Sequence, residues 1–404
     1  MKILFITGLY PNELYEDLRD RAYGVLQNAP NVFQWSIVEG LVNNEIDFNV
    51  VSLPFLPAWP HGYKSLYTPL YDIKYQGKKI GRMVPYCNLV VYKTFSVRVR
   101  LQWYIEQWIK DNRGEDNDLV ILTYTPYFPY IKAAVNAIKD ISGITIASIV
   151  TDLVDDMLNF ESNRKLLKRV QCYKESRQTK SLYKHIDKFI LLSKYMTEKI
   201  PSALERHIVI EGISVEKPFP NGLDKSEYKT ILYTGALQHY AGVSDLIKAF
   251  SKIKDDDCRL IICGSGPLAT MALDYAETDK RIIYMGLVSH DESLKLQRSA
   301  TVLINPRKPD CDITKYSFPS KTMEYLSSGT PMIGYKLAGI PEEYFKYYYT
   351  IDEMTEDALI EKIKNVLALN KEELEQKARE AYHFIMREKV AKVQVKKIVD
   401  FLKQ

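Results

Sequence analysis

Metal-ligand spacings are missing from this chain. Its six histidines are dispersed, with no His-x-x-x-His pair. Its five cysteines, at 87, 172, 258, 263 and 311, stand singly, with no Cys-x-x-Cys. An odd, unpaired set argues for a reducing compartment and against zinc. No apolar run reaches the ~18–20 residues that a membrane span needs. The opening Met1–Gly8 is too short and too soon interrupted for a signal peptide, and reads as a buried strand ending in a glycine turn. No Ser-His or Cys-His arrangement offers a nucleophile. Asp310-Cys311-Asp312 has a metal-binding spacing but lies in a cation-rich loop, and is taken as chance.

What is present describes a soluble, two-domain chain. A length of 404 residues exceeds one ordinary core, and 46% hydrophobic with 26% charged residues is ordinary composition. The net charge of +4 is unevenly placed: residues 1–200 hold 26 Lys/Arg against 21 Asp/Glu, and the remainder 29 against 30. Residues 51–100 hold eight cations and one carboxylate; residues 161–199 hold eleven and four. Such runs are either solvated faces or a basic surface turned toward an anionic membrane or acceptor.

Strand and helix signals alternate, which implies parallel, helix-covered sheets. Strands are expected at Ile3–Thr7, Phe48–Leu53, Leu89–Tyr92, Leu119–Thr123, Ile144–Val150, Lys188–Leu192 and Ile208–Glu211, with helices over Val32–Leu41 and Tyr130–Ile138. Phe55–Tyr75, crowded with aromatics and prolines, follows neither period. It reads as a binding loop or as a packed cover over the first sheet. The pattern restarts at Thr230–Gly235, with helices at Val243–Phe250 and Leu294–Arg298 and strands at Leu260–Cys263, Ile282–Met285 and Val302–Ile304. The expected division is a first domain over 1–213, a linker over 214–229, a second domain over 230–384 and a terminal helix over 385–404.

Residues 304–333 are the most informative. The apolar run Thr301–Ile304 leads into a polar loop carrying Arg307 and Lys308. Ser317-Phe318-Pro319-Ser320-Lys321 then opens a short helix, with Pro319 near its first position, that stops at Gly329 before Pro331. A helix N-terminus beside Ser320, Lys321, Arg307 and Lys308 is an anion site, and phosphate is its usual occupant.

This stretch resembles the retaining GT-B glycosyltransferases of family 4, in particular a branch with Asn-Pro-Arg followed by Ser-Phe-Pro-Ser-Lys. That family carries two glutamates with seven residues between them, the second followed by Gly-x-Pro. Glu324 and Gly329-Thr330-Pro331 match the second; Tyr316 replaces the first. The resemblance implies an α/β fold of GT-B type: two Rossmann-like parallel-sheet domains facing a cleft, with the last helix returning to the first domain.

It also implies roles. Arg307 and Lys321 would hold the donor diphosphate, where leaving-group charge builds. The family's usual cations follow the second domain's opening glycine, Gly235, but Ala236 and Ala241 stand there. Glu324 would accept hydrogen bonds from the ribose hydroxyls, within the Phe318-Pro319-Ser320-Lys321 motif. Gly264-Ser265-Gly266-Pro267 and Val288 would wall the base, and Gly8 would be a flexible loop near donor and acceptor. Asp152, at a strand end where α/β ligands bind, would stand near the acceptor or the anomeric carbon, with Asp155 and Asp156 as rivals and a helix N-cap as its plain alternative.

The function so implied is transfer of a sugar from a nucleotide-diphospho-sugar, a UDP-sugar ahead of a GDP-sugar, to a glycan or polyprenyl-diphosphate-linked glycan in surface-polysaccharide assembly. No cofactor, metal or nucleic acid is required. The expected place is the cytoplasm, at the inner face of the plasma membrane. Tyr316, Ala236 and Ala241 also motivate a non-catalytic GT-B partner of a transferase, and a sugar-nucleotide epimerase shares the fold.

Overall fold

The apolar run at the N-terminus forms β1 (Lys2–Thr7), buried on both faces beyond its first residue as a central parallel strand must be. The computed structural model describes residues 1–24, 29–114, 118–153, 166–220, 226–310 and 313–404. The chain divides into two units, Met1–Ile213 with Ala391–Gln404, and Ser214–Val390.

In the first unit β1 is joined by β2 (Asp47–Ser52), β3 (Tyr71–Tyr75), β4 (Lys78–Met83), β5 (Leu119–Tyr124), β6 (Ile144–Val150), β7 (Lys188–Leu191) and β8 (His207–Val209). Their order is β3-β4-β2-β1-β5-β6-β7-β8, parallel except for the β3–β4 pair. The helices are α1 (Tyr15–Asp20), α2 (Ala29–Asn43), α3 (Lys93–Asn112), α4 (Phe128–Ala137) and α5 (Leu166–Leu182).

Three sequence expectations change here. Leu89–Tyr92 is not a strand. It is a turn, with Leu89 O accepting from Tyr92 N at 2.9 Å and Lys93 N at 2.7 Å, that leads into α3. Its apolar residues misled because Val91 is 87% exposed. The helix that follows buries Val97, Leu101, Ile105 and Trp108 on one face, a stripe hidden among arginines and exposed aromatics. The β3–β4 hairpin takes up the end of the aromatic stretch. Gln76 and Gly77, at φ 49° and 78°, form the tight left-handed turn that twists with the strands. The rest of that stretch covers the sheet: Tyr63 is fully buried and the Lys93 ammonium donates to Leu56 O, while Phe55 and Tyr67 stay exposed.

The second unit holds β9 (Lys229–Thr234), β10 (Cys258–Cys263), β11 (Ile282–Gly286), β12 (Val302–Asn305), β13 (Met332–Tyr335) and β14 (Tyr349–Ile351), all parallel, in the order β11-β10-β9-β12-β13-β14. Its helices are α6 (Val243–Lys252), α7 (Ala269–Thr278), α8 (His290–Ser299), α9 (Ile313–Tyr316), α10 (Ser320–Leu326), α11 (Glu356–Leu367) and α12 (Lys371–Glu388). Val243, Leu246, Ile247 and Phe250 show why α6 forms: one apolar stripe at helical spacing meets the core. The segment 214–220 is docked on this unit. Ser214 N donates to Lys389 O at 2.8 Å, and the Phe219 ring meets Tyr382 edge-on at 5.0 Å.

Helix α12 runs unbroken through position 385, so the return to the first unit comes at Ala391, where α13 (Ala391–Lys403) begins. It lies on α2. Asn44 Nδ2 donates to Lys392 O at 2.8 Å, and Lys188 Nζ donates to Phe401 O at 2.9 Å and Leu402 O at 3.1 Å, closing the helix C-terminus. Gly40 on α2 makes this approach feasible: a Cβ there would overlap Val395 and sit 2.6 Å from Ala391 O. Helix propensity alone says that Gly40→Ala stabilises by about 1 kcal/mol. Overpacking costs about 1–3 kcal/mol, and we expect it to win. Thermal denaturation should show a lower Tm for Gly40→Ala; a rise would mean that α13 sits on α2 with room to spare.

Candidate functional site

The site is built at the carboxyl ends of the second unit's strands. After β9 the chain turns through Gly235, and after β10 through Gly264 and Gly266. The two loops are laced together: Gly235 N donates to Cys263 O and Leu237 N to Ser265 O, both at 2.9 Å, and Gly264 N to Gly286 O at 2.7 Å. Gly264 stands at φ +141°, and a Cβ on it would overlap Gly235 O; one on Gly266 would lie 2.6 Å from Leu237 O. These glycines are required by backbone against backbone. Tyr284 Oη donates to Gly264 O at 2.9 Å, while Val288 is half-buried on the same core.

Helix α10 carries the charged group. It has seven residues, and Pro319 is its cap rather than its first residue, with no side-chain cap bond. So short a helix has a weak dipole, and side chains carry the electrostatics. Ser320 is exposed, and Lys321 and Glu324 are half-buried. Lys321 Nζ contacts Glu324 Oε1 at 2.9 Å, and Gln297 Nε2 donates to the same oxygen at 2.5 Å. Both bonds fall on Oε1, which leaves Oε2 without a protein partner among the described residues. Burial pushes the Glu324 carboxyl up, but the Lys321 ammonium, by charge and hydrogen bond, the Gln297 amide and the His290 charge outweigh it. The net position is below the ordinary glutamate value of 4.5. Tyr325, fully buried, accepts from Thr234 N at 2.8 Å and donates to Thr234 O at 3.1 Å, which ties α10 to the end of β9.

Arg307 follows β12. Its guanidinium lies 5.3 Å from the Tyr240 ring centroid and its charge lowers the hydroxyl pKa of Tyr233, though burial keeps that hydroxyl raised overall. It therefore serves the 235–242 loop, where Ala236 is exposed and Ala241 buried and neither brings a charge. Lys308 turns away to Asp245 at 2.6 Å. Phe318 is a core residue, 5.4 Å from Tyr344 ring to ring, so any ligand contact from this position would be through its backbone. Tyr316 is buried as well.

The structure thus gathers Gly235, Gly264, Gly266, Val288, Arg307, Ser320, Lys321 and Glu324 in one unit. Gly8 and Asp152 lie in the other, at the carboxyl ends of β1 and β6. Gly8 is less free than a bare glycine turn suggests: its N–H donates to Gln34 Oε1 at 2.7 Å, and a Cβ would overlap the Phe55 ring. Asp152 is exposed by area, yet the protein around its carboxyl raises its pKa, against a hydrogen bond from Thr151. Asp155, Asp156, Cys311 and Asp312 lie outside the described residues.

Sequence reasoning missed Gln297, Arg298 and Lys217. Gln297 is fully buried on α8, also reaching Ser293 Oγ at 3.1 Å; an amide on the inner face of an amphipathic helix was the available signal. Lys217 has its pKa lowered by burial and by Arg298, against the Glu324 charge, and no spacing in the sequence pointed to it. Among the described residues no group of three or more His, Cys, Asp or Glu is placed to hold a metal ion.

Two parallel-sheet Rossmann-like units of this kind are the GT-B fold. The chain superposes over its whole length on sucrose-phosphate synthase from Thermosynechococcus elongatus (TM-score 0.63, 14% identity, 99% of that chain). It does so equally on the Anabaena protein HepE in complex with UDP (TM-score 0.62, 12% identity, 100% of that chain). Residues 214–383 match the family described as Glycosyl transferases group 1. A D-inositol 3-phosphate glycosyltransferase from Corynebacterium glutamicum is 33% identical over 125 residues, 28% of each chain. The chain spans 28–30% of the length of the first curated relatives it matches.

The lowered Glu324 pKa has a signed consequence. Folding favours the ionised form, so the contribution is present above the unfolded value and is lost as pH falls through the native one. Melting curves of wild type and Glu324→Gln should therefore converge on acidification, the wild type losing stability relative to the variant below about pH 4.5. Parallel profiles there would show that Lys321 and Gln297 do not hold the carboxylate.

Proposed function

We propose that the chain is a retaining glycosyltransferase that moves a sugar from a nucleotide-diphospho-sugar to a glycan or lipid-linked glycan acceptor, in surface-polysaccharide assembly. The observation that carries this reading is Glu324, its carboxyl pKa lowered and its charge held through one oxygen, with Oε2 bonded to no donor among the described residues. A ribose diol has two hydroxyl donors, and an ionised carboxylate accepts them well. The match of residues 214–383 to the group 1 transferases supports the activity. HepE, solved in complex with UDP, supports a UDP-sugar ahead of a GDP-sugar.

In this reading Lys321, positioned by Glu324, and Arg307, beside Tyr240, face the diphosphate. The bond from the anomeric carbon to the β-phosphate oxygen breaks as the bond to the acceptor oxygen forms on the same face. The departing phosphate takes the acceptor proton, and the two cations stabilise its charge. Arg307 takes over the work of the cations missing at Ala236 and Ala241. Asp152 stands on the acceptor side, where its carboxyl would orient the acceptor hydroxyl by a hydrogen bond while the proton goes to the departing phosphate. Buried Tyr316 in place of a glutamate favours a second reading, a non-catalytic GT-B partner; nucleotide binding without transfer or donor hydrolysis would select it.

Removing one preorganised charge contact costs about 2.7–4 kcal/mol, or ~10²–10³ in rate. Arg307→Ala and Lys321→Ala should each lower kcat by that factor, Arg307→Ala with little change in Tm and Lys321→Ala with a lower Tm as well, because it unpairs Glu324. Near-wild-type turnover in both would remove the donor-site assignment. The anomeric configuration of the first-formed product, read by NMR, tests retention.

A further inference from the structure

We propose that the solvent face at the start of α3 docks on an anionic lipid bilayer. Phe95, Val99 and Trp103 stand four residues apart along one exposed side of the helix, and Val91 and Tyr92 extend that side into the preceding turn. Trp103 is 53% exposed. Single exposed apolar residues need no explanation, but a continuous aromatic and aliphatic stripe does.

Charge says what covers it. Between Asp72 and Glu106 the sequence has no carboxylate and seven cations: Lys74, Lys78, Lys79, Arg82, Lys93, Arg98 and Arg100. Lys79 and Arg82 pair with Asp72, at 2.8 and 3.3 Å, and Lys93 is spent on Leu56 O. Arg98 and Arg100 remain on α3 flanking the stripe, with the Arg98 guanidinium 5.2 Å from the Phe95 ring centroid, while Lys74 and Lys78 stand at the β3–β4 turn, at the other end of the strand. A second copy of the chain on this face would set cations against cations. An anionic bilayer offers phosphate to the cations and hydrocarbon to the stripe, the setting in which Trp and Tyr concentrate.

The placement suits the proposed chemistry, and this part of the inference rests on that reading. Strand β4 runs parallel to β2 and β1, so the chain enters α3 at the sheet edge where β1 ends at Gly8 and β6 ends before Asp152. A lipid-linked acceptor would be presented on that side of the first unit.

The test is co-sedimentation of the full chain with phosphatidylcholine vesicles, with and without phosphatidylglycerol. Binding should require phosphatidylglycerol and fall with salt. Arg98→Gln and Arg100→Gln should each weaken it about fivefold, the equivalent of ~1 kcal/mol per cation at the surface. Phe95→Ser with Trp103→Ser should abolish it at unchanged Tm. Leu204→Ser, at an exposed leucine elsewhere in the unit, should not alter it. Equal binding to neutral vesicles, no binding at low salt, or binding indifferent to Phe95 and Trp103 would overturn the proposal. So would a dimer, seen by light scattering, that those substitutions dissolve. UDP affinity of the same variants should stay at the wild-type value, so failure of the bilayer surface and failure of the donor site are read separately.

Discussion

One half-buried carboxylate organises the second unit. Taking Glu324 partly out of water is costly unless cation and hydrogen-bond donors replace the lost hydration. Lys321 and Gln297 do so through a single oxygen. The surrounding architecture follows from that requirement. Gln297 must be inside, so α8 carries an amide on its buried face. Next to the carboxylate, Tyr325 locks α10 to both backbone groups of Thr234, fixing where the charge stands relative to the end of β9. The laced glycine loops after β9 and β10 then form a rigid floor, which admits no side chain at Gly264.

The first unit is arranged by different constraints. Its central strands β1 and β5 are buried on both faces, and α13 returns to cover α2 across a glycine contact and a lysine cap. Its strand ends bring Gly8 and Asp152 to one sheet edge, beside an aromatic loop and the start of α3. The second unit thus has the charges suited to a nucleotide diphosphate. The first has an acid of raised pKa at a strand end and, on α3, an exposed stripe flanked by arginines, which in the proposed reading would meet a lipid-linked acceptor.

Much of this could be read from the chain. Strands buried on both faces declare themselves as unbroken apolar runs, so Ile144–Val150 was placed to the residue. The charged motif from Arg307 to Glu324 stood out because a cation-rich loop, a proline-opened helix and a glycine stop follow one another. Helix α3 did not stand out, because Phe95, Val99 and Trp103 on its exposed side blur the 3.6-residue period of its buried stripe. The β3–β4 hairpin was hidden by aromatics, although Gln76-Gly77 was a usable turn signal. Gln297 and Lys217 escaped because a contact between elements tens of residues apart leaves no local spacing. Phe318 was legible as part of a motif but not as core, since only the fold places Tyr344 against it.

The central claim is that Glu324 reads the ribose of a bound nucleotide. Calorimetric titration of UDP into the wild type and Glu324→Gln tests it without acceptor, sugar or turnover. The account predicts saturable binding to the wild type and at least tenfold weaker binding to the variant, since a hydrogen bond to a charged group is worth about 1.5–3 kcal/mol. Equal affinity in the two proteins would contradict it.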